Sequence, residues 1–136
     1  MDALELANTV VARRGRRLDT LDPALGLHQL RDAVRDLFAA AVGGTRPPAG
    51  AVALVNRLAM APALTWTETG PTLVPESPAA AAARGAIELV TDGRLQACGN
   101  PRCVQYLLAD GARAYCSPAC ANRARVARHA ARERDA

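Results

Sequence analysis

The chain has 136 residues, half of them apolar and a formal net charge of +4, which is enough for one ordinary domain or a small domain plus a metal-stapled module. Aromatic residues are limited to Phe38, Trp66, Tyr106 and Tyr115, so Ala, Leu and Val must fill the interior, each burying little area. No apolar run approaches the roughly 18 residues of a membrane-crossing helix, and Met1-Asp2 leads into Glu5 with no basic start before an apolar stretch, so a signal peptide is not expected.

Residues 3–13 place Leu4, Ala7, Val10 and Val11 on one helical stripe, and the Arg-rich cluster at 13–17 reads as the solvated loop that ends that helix. Asn8-Thr9 is an odd polar pair inside it, better suited to hydrogen bonding than to holding a ligand. The clearest helix spans 27–42. Leu27, Leu30, Val34, Leu37, Phe38 and Ala41 share its apolar face, and Arg31, Asp32, Arg35 and Asp36 take the other. Gly43-Gly44 stops it, and Pro47-Pro48 precedes the next helix at about 49–60. Residues 63–75 alternate around Gly70-Pro71 as a β-hairpin carrying Trp66, which is expected in the core. Ser77-Pro78 supplies an N-cap and a first-turn proline for a helix to about residue 90.

Four cysteines follow the Asp92-Gly93 turn in the pattern C-x4-C-x12-C-x3-C: Cys98, Cys103, Cys116 and Cys120. Two short-spaced thiol pairs can close around one tetrahedral zinc ion. Residues 94–98, 104–109 and 113–116 read as three short strands around the first pair. Ser117-Pro118 then opens a helix to about Arg134 that carries Cys120 in its first turn. Such an arrangement is treble-clef-like, and the helix N-terminus favours thiolate. Protein groups fill all four positions, so a structural Zn2+, one per chain, is expected rather than a catalytic one. A redox switch that expels the metal, or two disulfides, are the competing readings. His129 lies nine residues past Cys120, about 13 Å along a helix at ~1.5 Å per residue, too far for the same ion.

The charge is uneven. Residues 1–93 hold nine Arg against ten Asp or Glu, a net of −1, while 94–136 hold eight Arg against three acids, a net of +5. All cations are Arg, which fits a GC-rich coding sequence and is not by itself a sign of phosphate recognition. The asymmetry points to a polyanion partner. Arg125, Arg128 and Arg132 form one stripe of the last helix, and Ala124, Ala127 and Ala131 line up with Cys120 as its buried seam. Asn122 and Arg123 are the candidates for base edges, the other arginines for phosphates, with Arg113 in support. A plain solvated helix is the alternative. Neither a Gly-rich phosphate loop nor a Cys/His or Ser/His pairing is present, so an enzyme is not expected.

The stretch CSPACANRARVARHAARER resembles the CGNR zinc-finger proteins, whose finger follows an N-terminal ABATE domain and which are regarded as stress-induced transcription regulators. The resemblance is strongest over 95–134. It implies Cys98, Cys103, Cys116 and Cys120 as metal ligands, with Cys120-Ala121-Asn122-Arg123 standing where the family has Cys-Gly-Asn-Arg. Upstream, LANTV at 6–10 and LRDAVRDLF at 30–38 resemble the family's Asn-Thr and Leu-Arg segments. The expected fold class is α+β: a mainly helical ABATE-like domain over 1–93 with one β-hairpin, then a treble-clef-like finger over 94–136. The expected role is a cytoplasmic transcriptional regulator whose zinc positions an Arg-rich helix on double-stranded DNA, with a homodimer and an effector at the N-terminal domain as further partners and no membrane contact. Protein–protein interaction and RNA binding are the runners-up.

Overall fold

A computed structural model describes residues 1–60, 64–74, 76–111 and 113–135. The chain starts with α1 (Ala3–Ala7), capped by a reciprocal pair: Asp2 Oδ1 accepts from the Glu5 N–H and Glu5 Oε2 from the Asp2 N–H, both at 2.8 Å. The expected helix over 3–13 stops there. Val10–Arg13 is instead strand β1, paired antiparallel with β2 (Arg16–Asp19). The β-branched run Thr9-Val10-Val11 favours extended backbone. Arg14 and Gly15 both take positive φ, 50° and 74°, the two-residue turn whose twist matches a hairpin. The basic cluster is therefore the tip of a hairpin and not a loop ending a helix.

Helix α2 (His28–Gly43) buries Leu30, Val34, Leu37 and Phe38 and packs on α1, on α3 (Ala49–Ala59) and on α4 (Pro78–Asp92). Ala3, Ala7, Ala82, Ala83 and Ala86 are buried at these crossings, where small side chains let helices approach closely. Ala41 lies outside the core, exposed. Arg31 departs further from expectation: it is only 5% exposed. Its Nη1 and Nη2 donate to the two Asp19 carboxylate oxygens at 2.7 and 2.9 Å, and its Nε donates to Asp32 at 2.8 Å. Burial is tolerated because the fork is paired, and it clamps the end of β2 onto α2. Arg35 is half-buried, not solvated.

Strands β3 (Leu64–Thr67) and β4 (Gly70–Leu73) pair as the second hairpin; the expected ends at 63 and 75 lie outside the described residues. Trp66 is 74% exposed there and is no part of the core, because all four residues of β3 lack a covering layer. Strands β5 (Leu95–Ala97) and β6 (Tyr106–Leu108) form a third two-stranded sheet, and α5 (Pro118–Asp135) closes the chain. Residues 113–116 are not the expected third strand. Gly99 donates to the Ala114 carbonyl at 2.7 Å, and among the described residues no ladder extends from that bond. No helix among the described residues is long and apolar enough to cross a membrane.

Candidate metal centre and the helix it anchors

The sulfurs of Cys98, Cys103, Cys116 and Cys120 lie within 4.8 Å of one another. Cys98 and Cys120 are 3.5 Å apart and Cys103 and Cys116 3.7 Å. In a tetrahedron with Zn–S bonds of about 2.3 Å the sulfurs stand about 3.8 Å apart, so these two pairs already stand at zinc spacing, wider pairs draw in slightly around one ion, and four thiolates leave no position for water or substrate.

Local chemistry builds the cage. The knuckle between Cys98 and Cys103 turns on Asn100. Its carboxamide oxygen accepts from the Arg102 N–H at 3.2 Å and its carbonyl from the Cys103 N–H at 2.9 Å. The same side chain, 8% exposed, donates Nδ2–H to Cys120 Sγ at 3.3 Å, and the Cys116 N–H donates to Cys98 Sγ at 3.4 Å. Such donors hold charge on sulfur. At Gly99 a Cβ would stand 2.9 Å from the Ala114 carbonyl oxygen and 3.2 Å from the Tyr115 ring, so only glycine lets the two halves of the cage close. Ser117 caps α5, its hydroxyl accepting from the Cys120 N–H at 3.0 Å, which puts Cys120 in the first turn.

The thiols divide electrostatically. Burial pushes Cys116 up to about 12, with the Cys103 and Cys98 sulfurs adding to it, and burial also raises Cys103. Cys120 goes the other way. Burial alone would raise it, but hydrogen bonds from Asn100 and the neighbouring thiols bring it down to about 7. Cys120 thus forms a thiolate ahead of Cys103 and Cys116, and metal binding releases the protons that remain.

The module is seated on the helical part through Asn8. Its Nδ2 donates to the Tyr106 carbonyl at 2.9 Å, and its Oδ1 accepts from the Tyr106 N–H at 2.8 Å, as a neighbouring strand would. Arg35 donates to the Ala7 and Val104 carbonyls at 2.6 and 2.7 Å, and Phe38 meets the Tyr106 ring edge-on at 5.4 Å. Spacing gave no hint of Asn100 as a sulfur donor. An Asn-Pro dipeptide such as Asn100-Pro101 is a turn signal, and it is the one local cue the sequence carries for this residue.

A family model described as a "putative stress-induced transcription regulator", ABATE, matches residues 22–93, just over half of the chain, and the CGNR zinc finger matches 94–133. The chain belongs to the ABATE family. In this ABATE protein the finger is the four-thiol cage just described, with Ala121 at the glycine position of the Cys-Gly-Asn-Arg signature. Curated proteins give no match.

The remaining sequence-predicted residues fall in three places. Arg113 is taken up internally: its Nε and Nη2 donate to the Tyr115 and Cys116 carbonyls at 3.2 and 2.9 Å, bracing the loop that carries Cys116. On α5, Cys120 and Ala124 are buried and Ala131 half-buried, but Ala127 is exposed, so the seam is shorter than expected. At about 100° per residue, Asn122, Val126, His129 and Glu133 form the ridge opposite that seam, with Val126 59% exposed and His129 Nε2 3.2 Å from the Glu133 carboxylate near the C-terminal end. Arg125, Arg128 and Arg132 flank it on one side, and Arg123 and Arg134 on the other.

Proposed function

We propose that this ABATE protein is a non-enzymatic DNA-binding regulator whose zinc cage presents α5 to the major groove of a duplex. The observation that carries the reading is the layout of α5. A polar and apolar ridge lies opposite the metal seam, with cations on both flanks. Among the described residues none of these five arginines is ion-paired to an acid. The ridge suits base edges: Asn122 can pair with adenine and Val126 can meet a thymine methyl. The flanks suit the phosphates that border a groove. Arg123, named above for a base edge, sits on a flank and serves phosphate better. A single finger covers little duplex, so operator-level specificity calls for a second copy.

Salt titration of duplex binding tests this directly. A log–log slope steeper than about −2 is expected, collapsing when Arg128→Glu and Arg132→Glu are combined; a shallower wild-type slope overturns the reading.

A further inference from the structure

The turn of the β1–β2 hairpin and α5 face each other across a groove of about 570 Å³. Arg14 and Gly15 line it from the turn, Arg102 from the metal knuckle, and Asn122, Arg123 and Arg134 from α5. No Asp or Glu is among its lining residues, and none of the four arginines is ion-paired among the described residues. Cys103 and Cys120 also line the groove, and a zinc ion held by four thiolates carries a net charge of −2, so the four guanidinium groups outweigh the cage and leave a positive excess that selects an anion. The turn itself supplies a second, independent observation. Arg14 is the single non-glycine at positive φ among the described residues, in a turn where Asn, Asp or Gly fits with less strain. Backbone geometry does not account for arginine there, whereas its charge in the groove does. Clamping of Asp19 by Arg31 fixes the hairpin on α2 and so aims its tip. The hairpin precedes residue 22, ahead of both family-matched spans.

We propose that this groove takes one sugar–phosphate strand of duplex DNA, with Arg14 and Arg102 on one wall and Arg123 on the other. The nucleic-acid surface is then shared between the N-terminal hairpin and the finger. Its direction follows from α5: a helix lying in the major groove has a phosphate row along each flank, and the Arg123–Arg134 flank opens into this groove. The inference rests on the DNA-binding reading of α5.

Two substitutions that suit the turn test it. Arg14→Asn accepts positive φ and removes the charge; Arg14→Asp does the same and reverses it. The zinc-loaded full chain is titrated against a labelled mixed-sequence duplex at several salt concentrations, with thermal melting followed in parallel. Both variants are expected to melt at or above the wild-type temperature. Affinity falls severalfold for Asn and further for Asp, and the Asn variant's salt slope is shallower by about 1. Unchanged affinity and slope in both variants, while the Arg128→Glu and Arg132→Glu pair still abolishes binding, overturns the shared groove and leaves the α5 reading standing. A wild-type slope shallower than about −2 removes both. Loss of polyglutamate binding in Arg14→Asn with duplex binding intact assigns the groove to an acidic polypeptide and overturns the proposal.

Discussion

Asn100 shows how much of a metal site lies outside its ligands. One carboxamide closes the knuckle turn with its oxygen and holds the Cys120 sulfur with its nitrogen. Removing it leaves the four thiols in place but takes away the donor that lowers Cys120. Asn100→Ala is therefore expected to weaken zinc binding about 10- to 100-fold, measured by competition with a chromogenic chelator. The difference from wild type should widen as pH falls from the variant's higher Cys120 value towards the wild-type value of about 7 and level off below it, where both thiols must give up a proton before they ligate. Equal affinities across that range would show that the bond to sulfur contributes nothing.

At the scale of elements, the β1–β2 hairpin depends on one carboxylate. The Arg31 guanidinium, then the Leu21 N–H, hold Asp19 well below the usual carboxylate range. A depressed folded-state value means that the stabilisation is fully present above the unfolded value of about 3.9 and is lost as pH falls below it. Asp19→Asn should lower the urea midpoint at neutral pH and flatten its decline below about pH 4. An acid limb as steep as wild type would show that other carboxylates govern it. The same hairpin explains what the sequence concealed. Helices α2 to α4 were legible because their apolar spacing, Gly stops and the Ser77-Pro78 start all agree. Residues 3–13 also satisfied a helical stripe, and the turn that breaks it uses Arg-Gly in place of the more familiar Asn-Gly. Arg31 and Arg35 looked solvated because their acceptors are remote in sequence: Asp19 for one, Val104 for the other. Thiol spacing made the cage legible. Asn100, whose bond to Cys120 spans twenty residues, was not.

At the scale of the molecule, the finger has almost no apolar core of its own: among the described residues Cys98, Leu107, Cys120 and Ala124 are its buried apolar members. Metal must supply most of its folding free energy, for which zinc-finger peptides give about 10–16 kcal/mol at neutral pH. Stripping zinc with a chelator is expected to melt α5 and the β5–β6 sheet while α2, α3 and α4 persist. Circular dichroism would then lose part of its helical signal and keep a residual cooperative transition. Complete loss of both would show that the helical part cannot stand without the finger, while no loss would show that thiol packing alone suffices.

The Asn8–Tyr106 pair of hydrogen bonds has a mechanical consequence. Tandem fingers on flexible linkers swivel to follow a groove, but this one is riveted through a backbone position 98 residues away from Asn8. For the proposed complex, hairpin tip and helix then act as fixed jaws of a caliper. Any misfit is taken up by the duplex, which favours sites rich in pliable pyrimidine–purine steps even at base pairs the protein never touches.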